Sequence, residues 1–233
     1  MTWSIVARDP GGAFGIAVAS RFFAVGALCP YVRSTTGAVC TQALVNPHYG
    51  PNGLSLLAKD TAPAEAIARL TGADEGREHR QLHMVDREGR TAAFTGGACI
   101  DWCGQRAGEG YSIAGNMLAG AAVLERTAAE YEKGKALPFA ERLLAALAAG
   151  EAAGGDKRGK QAAALLICTT EDYPFLDIRV DDHAEPIEEL RRLYRKSLER
   201  YQAFWRFLPS KDHAAGTTDR AVIEDAIARS QRS

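Results

Sequence analysis

Two short, mostly apolar segments, MTWSIVAR and FGIAVAS, begin the chain and are separated by an Asp-Pro-Gly-Gly turn. In the first segment Trp3 and Ile5 alternate with the hydroxyl residues Thr2 and Ser4, the spacing of a β-strand. Pro and Gly between two such segments favour a tight reversal of the chain. We therefore predict an antiparallel hairpin that starts at Thr2 and has one apolar face and one more polar face led by Thr2.

The rest of the chain changes from strand patterns to helix patterns and back. Further strands are predicted at TTGAVCTQA, GYSIAGN, QAAALLICTT and FLDIRVDD, and a second hairpin at RQLHMVDREGRTAAFTGG. Helices are predicted after NPHYGPNG, in TAPAEAIARLTGADE with Thr61 as its cap and Pro63 near its start, and in MLAGAAVLERTAAEYEKG and PFAERLLAALAAGEAAGG. This order predicts an α+β fold of two packed sheets with helix layers outside.

The composition changes near Pro186, where PIEELRRLYRKSLERYQAFWRF has the spacing of one long amphipathic helix. We therefore divide the chain into residues 1–185, the main domain, and residues 186–233, a helical extension. The extension is expected to pack on the domain or on a partner subunit.

The overall charge argues against polyanionic partners. With a formal net charge of −1 and 46% hydrophobic residues, the chain has no field that would favour nucleic acid or an anionic membrane. No apolar run approaches the roughly 18 residues that a membrane span needs, and the start lacks a signal-peptide pattern. We expect a cytoplasmic protein with no nucleic-acid partner and no membrane partner.

The cysteines and one acidic cluster are candidates for metal or redox sites. Five cysteines, an odd number, argue against a disulfide framework, and Cys99 and Cys103 in CIDWC lack the paired clusters of a zinc site. A second group could bind a divalent cation, although neighbouring strand residues point to opposite faces: Asp177, Asp181, Asp182 and His183. We expect no metal and no cofactor.

Thr2 directly follows Met1, and this position could carry chemistry. Methionine aminopeptidase generally removes Met1 when the second residue is small. An amino-terminal Thr then offers a hydroxyl nucleophile and, in its own α-amine, a base on one residue. Many proteins also begin Met-Thr without using that residue, so the layout behind it must decide.

That layout resembles the family catalogued as domain of unknown function 1028, which is assigned to the N-terminal nucleophile hydrolase superfamily and is similar in layout to proteasome β subunits. The resemblance extends from Met1 to about Leu193 and is carried by these stretches: MTWSIVARDP, GIAVASRFFAVGA, GAVCTQALVNPHYGPNGL, GREHRQL, AFTGG, GEGYSIAGNMLAG, LLAALAAGEAAGGDKRGKQAAALL and RVDDHAEPIEELRRL. It implies a four-layer αββα sandwich, amide hydrolysis without a cofactor, and a homo-oligomer.

The resemblance also implies a catalytic set. Thr2 would attack a carbonyl carbon, and donors near Gln42 and Asn46 would face the oxyanion. Asn116 and Asp156 would hold the amino terminus in place; alternatively Asn116 caps a helix and Asp156 finishes a turn.

The residues that tune the amine in proteasome subunits are not reproduced. Ser20 and Arg21 stand at the position of the Asp, and only Arg33 is near the position of the Lys. The predicted substrate-binding residues are Ser20, Arg21, Asn46, Tyr49, His79 and Arg158. Convergence of Arg8, Arg21 and Arg158 on Thr2 would favour a substrate that bears a carboxylate.

We thus predict a hydrolase of a small-molecule amide that uses Thr2 after removal of Met1. The alternative is a non-catalytic member that binds a metabolite or partner in the same cleft. A third interpretation is an assembly protein that acts through the helix beginning at Pro186.

Overall fold

The computed structural model of the chain describes residues 2–231. The predicted removal of Met1 and the last two residues of the predicted extension lie outside the described residues. Ten strands and seven α-helices are found within residues 2–231.

Six strands form the larger sheet, in the order β10-β9-β2-β1-β8-β7, and all neighbours are antiparallel. These strands are β1 (Thr2–Arg8), β2 (Phe14–Ser20), β7 (Trp102–Gly108), β8 (Tyr111–Leu118), β9 (Ala162–Cys168) and β10 (Leu176–Val180). The predicted first hairpin is β1 with β2. In this register Thr2 lies opposite Ser20 on one side and opposite Asn116 on the other.

The smaller sheet has four antiparallel strands in the order β3-β4-β5-β6. They are β3 (Pro30–Arg33), β4 (Gly37–Ala43), β5 (Arg80–Asp86) and β6 (Thr91–Thr95). The predicted second hairpin is β5 with β6. Two edge strands, β3 and β7, were not predicted.

Helices cover the outer face of each sheet. They are α1 (Tyr49–Leu57), α2 (Pro63–Gly72), α3 (Ala122–Lys133), α4 (Phe139–Ala152), α5 (Pro186–Glu199), α6 (Tyr201–Trp205) and α7 (Arg220–Ser230). Apolar residues of α1 and α2 share a core with β4 and β5, whereas α3, α4 and α5 share one with the larger sheet. A third core lies between the sheets and includes Val6, Ile16, Ala38 and Val85. These layers confirm the predicted α+β sandwich of two antiparallel sheets, including a C-terminal helix.

The first strand has the predicted apolar face and more polar face, and neither is exposed to solvent. Trp3 and Ile5 face the helices, and Ser4 and Val6 face the other sheet, so both sides are buried. A strand between two packed layers has no solvent side, and its hydroxyl groups must find partners inside the protein.

Three helix predictions need correction. Thr61 does not cap α2, because the residue before the helix is Ala62 and no side chain bonds the helix end; Pro63 is the first helical residue, as predicted. Asn116 caps no helix, because β8 runs through it to Leu118 and α3 begins only at Ala122. The long helix from Pro186 ends at Glu199 and restarts as the separate helix α6.

Within residues 2–231, no helix has the length and apolar character needed to cross a membrane.

Candidate functional site

Thr2 lies at the edge of a cavity between the two sheets. Its side chain is 5% exposed, and its Oγ1 donates a hydrogen bond to Ser20 Oγ over 3.0 Å. The cavity has a volume of about 300 Å³. The predicted nucleophile therefore borders a space that a small molecule could enter.

Two buried amide side chains hold the main chain of Thr2. Gln42 Nε2 and Asn116 Nδ2 each lie 3.4 Å from the Thr2 carbonyl oxygen and donate to it. Each also donates to Gln81 Oε1, over 2.6 and 3.1 Å. Because a carboxamide has only two N–H donors, these contacts use the donors of both residues. Gln42 and Asn116 thus position the first strand, and their amides are not free to bind an oxyanion.

Gln81 is the centre of this network, and sequence reasoning missed it. Its side chain is fully buried, and Nε2 lies within hydrogen-bond distance of Thr95 Oγ1 and of the carbonyl oxygens of Gly104 and Gly115. In the sequence Gln81 is one of several alternating residues in a predicted strand. Only the packing of two sheets reveals that it connects β5 to β6, β7 and β8.

A second buried chain of polar groups continues from Ser4 to the middle of the sandwich. Ser4 Oγ donates to Gln42 Oε1 over 2.7 Å and lies 2.8 Å from His83 Nε2. The single hydroxyl proton of Ser4 is used on Gln42, so His83 Nε2 must carry the proton of that second bond, and His83 Nδ1 faces Ser112 Oγ at 3.2 Å. Burial lowers the pKa of His83 to about 3. The imidazole is neutral at cellular pH and acts as part of the structure.

Asp156 lies on the other side of the Thr2–Ser20 pair. Its carboxylate accepts the backbone N–H groups of Arg21 and Arg158, both over 2.8 Å, and the Arg158 guanidinium lies 3.3 Å away. The side chain of Asp156 is almost completely buried. The predicted residues Ser20, Arg21, Asp156 and Arg158 therefore meet beside Thr2.

None of the six predicted substrate residues lines the Thr2 cavity. Asn46 and Tyr49 both donate to Asp74 Oδ2, over 3.1 and 2.8 Å, and His79 is exposed. The other three, Ser20, Arg21 and Arg158, lie beside Thr2 but outside the cavity lining. Arg8 ends β1 at the opposite end of the sandwich, so the predicted convergence of Arg8 on Thr2 is wrong.

The walls of the cavity are mostly apolar. Its lining combines Thr2 and Gln42 with Phe22, Val25, Leu28, Cys29, Ala43, Leu44, Val45 and Arg80. Arg80 is the only charged residue among them. The residue predicted from the sequence is its neighbour His79, because a local pattern does not show which of two adjacent residues borders a cavity.

The chain matches the family described as "Family of unknown function (DUF1028)" over residues 2–190. It belongs to this family. A crystal structure in the same family, protein SPO2555 from Silicibacter pomeroyi, is 33% identical, covers 94% of this chain and 99% of its own, and superposes with a TM-score of 0.87. Anbu (ancestral beta-subunit) from Yersinia bercovieri gives a TM-score of 0.39 at 13% identity, over 84% of this chain and 94% of its own. Comparison with curated proteins finds no match.

In this family member the acidic cluster is dispersed. Asp181 pairs with Arg179, and Asp182 accepts from Gln161 over 3.1 Å. Residues 2–231 contain no group of three or more His, Cys, Asp or Glu side chains that could hold a metal ion, so the cation site considered at Asp177, Asp181, Asp182 and His183 is not formed. All five cysteines have free thiols.

Proposed function

We propose that the chain hydrolyses the C–N bond of a small amide, with Thr2 as the nucleophile once Met1 has been removed. The observation that supports this most is the position of Thr2. It borders the cavity, and its hydroxyl donates a hydrogen bond to Ser20 Oγ over 3.0 Å. The αββα layering also agrees with the superfamily that the sequence resembles.

The reaction needs no group beyond Thr2 and water. A free α-amine has a pKa of about 7.7 to 8, so a sizeable share is neutral at cellular pH and can accept the hydroxyl proton. Thr2 Oγ1 would then attack the carbonyl carbon, the C–N bond would break, and the leaving amine would take up that proton. Water would hydrolyse the resulting ester and restore Thr2.

A candidate oxyanion donor is the backbone N–H of Ala43, which lines the cavity. Along an antiparallel strand, every second N–H points to the same side. Thr41 N–H donates toward β3, to Cys29 O, whereas Leu44 N–H donates toward β5, to His79 O. Ala43 N–H therefore points to the β3 side, beyond Pro30, where that strand begins, and toward the cavity.

One observation favours the alternative, a member that binds a ligand without turnover. Within residues 2–231 no ionisable side chain hydrogen-bonds to Thr2, and Arg33, near the position of the proteasome Lys, lies opposite Gly37 at the far end of β4. Thr2 would have to react without an ionisable side chain hydrogen-bonded to it.

The test uses protein whose loss of Met1 has been verified by intact mass, assayed against a panel of small amides, ureido compounds and lactams. We expect Thr2→Ala to reduce turnover by about a thousandfold or more, and Thr2→Ser to retain a measurable rate. Thr61→Ala, a threonine remote from the cavity, is the matched control and should keep wild-type turnover. Thermal stabilisation by panel members without any turnover would support the binding alternative instead.

A further inference from the structure

The cavity beside Thr2 combines an apolar wall with a single cation. Phe22, Val25, Leu28 and Val45 contribute apolar side chains, and Arg80 contributes the only charge among the described lining residues. A volume of about 300 Å³ lies at the lower end of the range for small-molecule sites. The occupant must therefore be small and must offer both an apolar surface and a partner for a guanidinium.

Two of the three nitrogen atoms of the Arg80 guanidinium are held by the protein. Nε donates to Asp74 Oδ2 over 3.1 Å, and Nη1 donates to the carbonyl oxygen of Leu44 over 2.6 Å. Nη2 has no hydrogen-bond partner within residues 2–231. A fixed guanidinium with an unused donor edge loses little side-chain entropy when a ligand binds.

Asp74 is itself held, so this arrangement is rigid. Burial pushes the pKa of Asp74 upward, but hydrogen bonds from Tyr49, Asn46, the Gly76 N–H and Arg80 together lower it well below its usual range. The carboxylate thus stays ionised and keeps Nε occupied. Asn46 and Tyr49, which the sequence analysis assigned to substrate, act through Asp74 and Arg80.

Because Gly76 has no side chain, there is room beside it for Arg80 Nη2. A Cβ added at Gly76 would lie 2.7 Å from Arg80 Nη2, so even alanine would displace the guanidinium. The backbone at Gly76 has a φ of −85°, which alanine adopts readily. A substitution there would move the charge without removing it.

We propose that this cavity binds a small amide that carries both an apolar group and a carboxylate, with the carboxylate on Arg80 Nη2 and the apolar group against Phe22 and Val25. The N-acyl amino acids are the simplest compounds of this class. The proposal rests on the proposed function, because it takes the amide carbon to lie beside Thr2. A carboxylate bonded by the guanidinium would select such compounds over neutral amides of the same shape.

The experiment measures binding separately from turnover. Thr2→Ala protein, free of Met1 by intact mass, is titrated calorimetrically with N-hexanoylglycine and with its neutral counterpart, N-hexanoylglycinamide. We expect the carboxylate to bind about tenfold or more tightly than the carboxamide. Arg80→Met and Gly76→Ala should both remove this preference, and Arg77→Met, an exposed arginine of the same turn, should not.

Equal affinities for the two compounds, no binding of either, or a preference that survives in both Arg80→Met and Gly76→Ala would overturn the proposal. Gly76→Ala keeps Arg80 and so covers the case in which Arg80→Met does not fold. Turnover by the wild-type protein is measured in parallel. Selective binding without turnover would leave the ligand assignment intact and would contradict only the hydrolase.

Discussion

At one end of β1, Thr2 borders a cavity of about 300 Å³, and at the other end Arg8 borders a cavity of about 590 Å³. In the larger one the structure shows protein partners for two polar groups. The Tyr111 hydroxyl donates to Glu132, and the Arg142 guanidinium lies 3.6 Å from the centre of the Tyr131 ring. In the smaller one a buried neutral network holds the main chain of Thr2, and one guanidinium nitrogen, Arg80 Nη2, has no hydrogen-bond partner within residues 2–231.

The comparison shows that the two cavities differ in the chemistry of their lining as well as in volume. A donor that already has a partner gains little from a ligand, whereas a donor without one gains a hydrogen bond. Under the proposed function, Arg80 Nη2 at the Thr2 end is such a donor, whereas the lining at the Arg8 end carries several charges of both signs. Variants at the two ends can therefore be used to separate stability from function.

The largest effect is expected for Gln81→Leu, at the centre of the Thr2-end network. The change leaves the donors of Gln42 and Asn116 without their shared acceptor, and we expect a loss of about 3 kcal/mol in the free energy of unfolding. Urea denaturation measures this loss. The control is Gln161→Ala, which removes a hydrogen bond to the exposed residue Asp182 and should leave the free energy of unfolding within about 0.5 kcal/mol of the wild-type value. A loss under about 1 kcal/mol would mean that the network is not a structural requirement.

The next effect is a pH dependence from His83. Its pKa falls from the ordinary value to about 3 in the folded protein. At mildly acidic pH only the unfolded chain therefore binds this proton. The contribution of His83 to the free energy of unfolding is fully present above about pH 6.5 and is lost as the pH falls toward 3. We expect a contribution of about 1.4 kcal/mol per pH unit at full slope, or roughly 2 kcal/mol between pH 6 and 4.5.

Urea denaturation of the wild type and of His83→Gln across this pH range gives the measurement. When the free energy of unfolding is plotted against pH, the slope for the variant should be lower than that for the wild type by the equivalent of nearly one proton. Parallel slopes in the two proteins would show that the imidazole is not held in its neutral form.

A smaller effect is expected for Asp156→Asn, beside Thr2. The amide cannot accept both the Arg21 and the Arg158 N–H groups as the carboxylate does, so we expect a loss of about 1–2 kcal/mol. We also expect about a tenfold lower kcat/KM for any amide that is turned over, because Ser20 and Arg21 adjoin Thr2. Asp182→Asn is the control and should change neither quantity. Equal effects of the two substitutions would show that Asp156 has no particular role beside Thr2.

The smallest effect is expected at the opposite end. Tyr111→Phe removes the hydrogen bond to Glu132 and keeps the ring against Tyr131, with centroids 4.9 Å apart. We expect about 1 kcal/mol lower stability and unchanged kcat/KM. A marked change in kcat/KM would show that the larger cavity takes part in function, and the comparison between the two ends would then fail.

Much of the fold could be predicted from local patterns, and less of the site. The two hairpins and the helix layers follow from alternation, turn residues and helical spacing. The edge strands were not predicted because β7 contains two glycines and the exposed polar residues Gln105 and Arg106, and β3 begins with Pro30.

At the site, Thr2 and Asp156 could be found because the family resemblance aligns them. Gln81 and Arg80 could not, because a strand pattern does not show that Gln81 faces the larger sheet or that Arg80, on the opposite side of β5, meets Asp74 and the Leu44 carbonyl. Asn116 ends the predicted strand GYSIAGN, which β8 confirms, but the helix expected directly after it is wrong: β8 continues to Leu118 and α3 begins only at Ala122.

The most direct test of the central claim is the chemical labelling of the protein with a β-lactone, an electrophile that acylates activated hydroxyl groups. The product is analysed by intact mass and peptide mapping. We expect a single adduct on Met1-free protein, located on the peptide that begins with Thr2, and no adduct on Thr2→Ala. Complete retention of Met1 in protein from the native host, or equal labelling of Thr2→Ala, would contradict the account.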